Sequence, residues 1–167
     1  MEAKTVKIPA NQDEITLYTF LGEALCTIQY VELGLSHSIT IKMNPAETKE
    51  KADEILKKHL TFTLGQAIKL AIKENLYFST LQEELNDFLI QRNWLVHKSM
   101  FEIQRDLQDN GKKEELFKKI KSISDKALSI HHEIENDLIE FCIAKGKDMS
   151  KIVDLLNLQK KGIRVKM

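Results

Sequence analysis

Net charge is missing from this chain, in which 25 lysines and arginines balance 25 aspartates and glutamates. Broad electrostatic capture of nucleic acid is disfavoured by that balance, so any such contact has to be made by a local cleft. Also missing is any run of 18 apolar residues, and with it any expected membrane span. Lys4, Lys7 and Pro9 leave no continuous apolar stretch in residues 1–12, so no secretory signal is expected and the expected location is the cytoplasm. Cysteine is scarce: Cys26 and Cys142 form no C-x-x-C pair, and their apolar helical surroundings predict buried free thiols rather than a disulfide or a zinc site. No glycine-rich phosphate loop is present either. What remains is a chain of 167 residues, 43% apolar and 30% charged, long enough for one core without staples.

Apolar periodicity predicts an all-α fold, a compact antiparallel bundle of about five main helices with a short C-terminal helix. The expected organisation is one domain over residues 1–167, with residues 1–12 and 159–167 loosely ordered and a brief extended segment at residues 6–8. A first helix opens at Asp13 and Glu14 and carries Leu17, Phe20 or Leu21, Ala24 or Leu25, Ile28, Val31 and Leu35 at spacings of three and four. Gly22 is read as permitting close helix approach, and the β-branched residues 38–43 either extend this helix or form a short extended piece. Asn44 and Pro45 read as an N-cap and first position of a charged helix through about Lys58. Thr63 caps a helix through Ile72, and a further helix runs from about Thr80 into Phe101. Asp109-Asn110-Gly111 reads as a turn before a long helix over residues 113–144, which Gly146 stops. Ser150 then caps a short helix, followed by a basic tail at residues 159–167 that could reach a nucleic-acid backbone.

The stretch best suited to chemistry is Arg92-Asn93-Trp94-Leu95-Val96-His97. It follows apolar positions Leu81, Leu85, Phe88 and Leu89, and Arg92 stands where that series asks for another apolar side chain. A guanidinium there must snorkel, pair with an acid, or face a ligand or partner subunit, because burying it alone costs several kcal/mol. Asp87 lies five residues away and is poorly placed to pair with it. Asn93 and His97 are four apart and share a face, whereas Arg92 and His97 are five apart and diverge by roughly 140°. A local bend near His97, or two copies meeting across a two-fold axis, would bring Arg92 and His97 together. Trp94 has no aromatic neighbour within five residues and reads as a packing side chain. His131 and His132 point about 100° apart and are not read as a metal pair, although His132 could share a face with Glu135 or Asn136. His37 and His59 have no motif around them, and a structural or solvent role is the expectation.

Residues 81–101, LQEELNDFLIQRNWLVHKSMF, resemble the higher eukaryote and prokaryote nucleotide-binding (HEPN) superfamily, whose signature is Arg, a polar residue, a few more residues, then His. Arg92, Asn93 and His97 carry that signature, and Thr63-Leu64-Gly65-Gln66 resembles a lead-in found in some members. The resemblance implies a small helical bundle, commonly a homodimer, and for many members a metal-independent endoribonuclease serving as a toxin, antiviral effector or RNA-processing enzyme. It implies no metal and no cofactor, an RNA substrate, and for toxin-type members an antitoxin or other regulatory protein as partner. Other members do not cleave and instead bind nucleotides or partner proteins. On the catalytic reading His97 is the acid or base, since an imidazole exchanges protons near neutrality. Arg92 holds phosphoryl oxygens through its planar fork, Asn93 orients the imidazole or a phosphate oxygen, and Lys98 adds phosphate attraction.

Overall fold

Asn11 opens the first helix, α1 (Gln12–Met43), with a reciprocal cap: its side chain accepts from the Glu14 amide at 2.9 Å, and the Glu14 carboxylate accepts from the Asn11 amide at 2.8 Å. A computed structural model describes residues 9–44, 48–107 and 109–161 of the chain. The β-branched segment 38–43 continues α1 instead of breaking it. Ser38, Ile39 and Thr40 are buried there, and the Thr40 hydroxyl donates back to the Ser36 carbonyl at 2.8 Å.

Asn44 ends this helix rather than starting the next, its backbone N–H reaching the Ile41 carbonyl. Thr48 is the N-cap of α2 (Lys49–His59), so the Asn44-Pro45 start expected from sequence is corrected, and Pro45 itself lies outside the described residues. Thr63 and Gln66 form a second reciprocal cap at the head of α3 (Leu64–Lys73), as the sequence suggests. The motif-bearing helix is divided. Lys98, at φ −122° and ψ −22°, separates α4 (Ser79–His97) from α5 (Ser99–Asp106), which brings the described residues to seven helices.

Asp109 caps α6 (Asn110–Ala144) by accepting from the amides of Gly111 and Lys112, so the expected turn is the first turn of the helix itself. Gly146 takes φ +75° just past the end of α6, a conformation in which a side chain would be strained. The last helix, α7 (Ser150–Lys160), extends into the segment expected to be loose. The expected extended segment at residues 6–8 and the end of the basic tail, residues 162–167, fall outside the described residues.

The fold is an all-α bundle, as the periodicity predicts. Its two longest helices run in the same direction: Asp13 pairs with Lys113, Glu23 with Lys121, Thr27 with Ser124 and Lys42 with Asp137. The helices between them carry the chain back, and α4 lies antiparallel to α6, with Glu84 on Lys126 and Trp94 beneath Lys119. Ile28, Val31 and Leu35 of α1, Leu85 and Phe88 of α4, and Ile120, Ile123 and Ile130 of α6 share one core. Gly22 makes no close approach, since a Cβ added there meets nothing within 4 Å. The close approach is at Gly34, where a Cβ would stand 3.1 Å from Cδ2 of His131. Cys26 is exposed and Cys142 half-buried, so the expectation of two buried thiols is corrected; Cys26 lies off the stripe formed by Ala24, Ile28 and Val31. No helix among the described residues is long and apolar enough to cross a membrane.

Candidate functional site

Leu81, Leu85, Phe88 and Leu95 put the inner face of α4 into the core, and Arg92 falls on the same face, four residues after Phe88 and three before Leu95. Its charge is met from another helix. Arg92 Nη2 lies 3.2 Å from Glu32 Oε1 of α1, with the two side chains 23% and 31% exposed. Nη1 makes a long contact of 3.4 Å with Asn93 Oδ1. The Nε–H is buried and has no acceptor among the described residues, an unmet donor on a cationic group. Nothing local in the sequence pointed to Glu32, because it stands 60 positions away and only the packing of α1 brings it there.

Asn93, His97 and Lys98 are all exposed. Asn93 and His97 share the outer face of α4 with Ile90, which is 69% exposed. His97 is the last residue of α4, and neither its side chain nor that of Lys98 has a partner among the described residues. Arg92 and Asn93 are therefore brought together, while Arg92 and His97 are not in contact within one chain. A local bend near His97 is one of two ways to bring the side chains together; the helix does break, but at Lys98, after the histidine, which leaves the divergence of the two side chains unchanged. Beyond it Met100 and Phe101 are exposed, Phe101 to 77%.

Trp94 is a packing residue. Its indole Nε1–H donates to Glu102 Oε1 at 2.8 Å, and Lys119 Nζ sits 3.4 Å from the ring centroid, so one side chain joins α4, α5 and α6. That donor, with Lys119 in support, holds the Glu102 carboxyl below its ordinary range.

The histidines divide by environment. His37 is exposed, and His59 is buried with Nδ1 2.7 Å from Thr40 Oγ1. Burial first, and Lys58 second, hold His59 below its ordinary value. On α6, the Nδ1 atoms of His131 and His132 lie 3.6 and 3.3 Å from the same oxygen, Glu135 Oε2. Adjacent positions on a helix make the two imidazoles diverge, yet Glu135, four residues after His131 and three after His132, lies within reach of both. Burial lowers the His131 value, with Glu135 opposing.

A cavity of about 500 Å³ lies away from the motif, lined by Lys42, Tyr77, Asp137 and Phe141. Three of its polar side chains are engaged within the chain. Lys42 pairs with Asp137 and donates to the Leu76 carbonyl at 2.7 Å, and the Tyr77 hydroxyl donates to Ser38 at 2.7 Å. Burial pushes the Tyr77 hydroxyl well above its ordinary value. No family model, no curated protein and no solved structure matches this chain.

Proposed function

We propose that the protein is a metal-independent endoribonuclease that cleaves single-stranded RNA, with its active cleft formed where two copies bring Arg92, Asn93 and His97 together. The observation that carries this reading is a fixed guanidinium and an exposed imidazole on the same helix, held apart within one chain. Arg92 is held at the edge of the core with its Nε–H unmet, and His97 stands exposed at the end of the same helix. Exposed Ile90, Met100 and Phe101 supply apolar surface beside the motif for a second copy.

In the cleft one imidazole takes the proton of the ribose 2′-hydroxyl, whose oxygen bonds to phosphorus. The bond to the 5′-oxygen breaks, and the second imidazole protonates that leaving group. The products carry a 2′,3′-cyclic phosphate and a 5′-hydroxyl, so DNA, which lacks the nucleophile, is not a substrate. Arg92 offsets the phosphorane charge, Asn93 orients by hydrogen bonding and Lys98 attracts phosphate. With the HEPN resemblance, the reading extends to a cytoplasmic toxin or defence effector restrained by a neutralising protein. In a cleavage and binding assay, His97→Ala is expected to lower cleavage by about two to four orders of magnitude while leaving RNA binding largely intact. Arg92→Ala is expected to damage both. Parent-like cleavage by both variants would show that the site is elsewhere.

One observation favours a second reading, a non-catalytic HEPN-like module that binds a nucleotide or a partner protein. Arg92 already has a carboxylate partner, Glu32, within its own chain. That reading expects no cleavage from the parent and saturable binding that His97→Ala leaves unchanged.

A further inference from the structure

We propose that His131, His132 and Glu135 form a site for zinc or a similar borderline divalent transition metal on the side of α6. Each of the three offers one ligand atom, and all three atoms lie within 4.8 Å of one another. Glu135 Oε2 is 3.3 Å from one Nδ1 and 3.6 Å from the other. These separations are long for a charge-assisted hydrogen bond, which closes to about 2.7–2.9 Å. They match the ligand-to-ligand edge of a tetrahedral zinc centre, about 3.3 Å for metal–ligand bonds of about 2.0–2.1 Å.

The helix supplies this geometry directly. Residues 131 and 135 are i and i+4, residues 132 and 135 are i and i+3, and the carboxylate therefore stands over the preceding turn between the two rings. His132 is exposed, so its ring is free to turn toward a bound ion. His131 is fixed from the other side. Its ring lies against Gly34 of α1, where a Cβ would stand 3.1 Å from Cδ2, and its centroid is 6.0 Å from that of Tyr30. A glycine at this position of α1 makes room for the ring, which presents Nδ1 toward Glu135.

Two imidazoles and one carboxylate suit zinc, nickel or cobalt rather than magnesium or calcium, which take all-oxygen shells. Three protein ligands leave a fourth position for water or an exchangeable ligand, as in catalytic rather than structural zinc sites. The site shares no residue with the RNA-cleavage proposal, and the two stand or fall separately.

Cobalt(II) titration tests it, using the full chain stripped with EDTA and desalted. The visible bands of four-coordinate cobalt should appear saturably at one ion per chain and be displaced by zinc. Glu135→Gln and His132→Ala, both at partly or fully exposed side chains, should each weaken binding at least tenfold, while His37→Ala should leave it unchanged. Circular dichroism establishes that each variant is folded. No saturable cobalt spectrum in the parent, or parent-like binding by both ligand variants, would overturn the assignment.

Discussion

The Arg92 guanidinium of α4 is anchored 3.2 Å from the Glu32 carboxylate of α1, across 60 positions of sequence. This contact fixes the motif's cation while leaving one of its N–H groups without an acceptor. The pair is neither fully buried nor fully wet, so its coupling should fall between the surface and interior limits. A double-mutant cycle with Arg92→Ala and Glu32→Ala, read by denaturant unfolding, is expected to give about 1–2 kcal/mol. A coupling near zero would mean that the contact does not hold Arg92 in place.

Core and motif should separate cleanly in stability. Phe88 and Leu85 are fully buried on α4, and Phe88→Ala and Leu85→Ala should cost about 2–5 kcal/mol each by opening cavities. Asn93 and His97 are exposed, and their alanine variants should lie within about 0.5 kcal/mol of the parent in the same unfolding experiment. Loss of activity in His97→Ala could then be assigned to chemistry rather than to unfolding.

The two glycines of α1 should respond in opposite directions. Gly22 faces open space, so Gly22→Ala should stabilise by about 0.5–1 kcal/mol through helix propensity alone. At Gly34 a Cβ meets the His131 ring at 3.1 Å, so Gly34→Ala should lose that gain to the displaced ring and raise no melting temperature. Thermal unfolding of the two variants side by side checks the contrast.

Acid should weaken the fold through His59. Burial and Lys58 hold its folded-state value below 6.5, so the unfolded chain takes up the proton first as pH falls. The stabilisation from the neutral ring is complete above the unfolded value, about pH 6.5, and is lost as pH falls through the folded value. His131, also lowered by burial, acts in the same direction. The melting temperature of the parent should therefore decline below about pH 6.5, and His59→Gln, less stable at neutral pH, should decline less steeply over that interval.

Helices were legible where a local signal announced them. The apolar periodicity of α1, α4 and α6, the Thr63 cap and the Gly146 stop are all properties of a few neighbouring residues. Asn44 ends α1 although an Asn-Pro pair suits a helix start as well as a helix end, and Thr48 caps α2 three residues after Pro45. At Arg92 the sequence leaves snorkelling, an acid partner, or a ligand or partner subunit as alternatives, and the packing of another helix decides between them by supplying Glu32. Glu135 was visible as a neighbour of His132, but its approach to His131 as well depends on the place of that ring against Gly34 and Tyr30 across the helix interface. The antiparallel arrangement expected of the bundle holds for α4 against α6 but is corrected for α1 and α6, whose parallel run follows from paired residues such as Asp13 with Lys113 and Lys42 with Asp137, because periodicity fixes a helix's buried face and not its direction.

The most direct test of the proposed chemistry is end-group analysis of mixed-sequence single-stranded RNA after incubation in EDTA with the parent and with His97→Ala. The expected result is 2′,3′-cyclic phosphate and 5′-hydroxyl ends made by the parent and not by the variant. Intact RNA from a folded, dimeric parent, or the same ends made equally by His97→Ala, would contradict it.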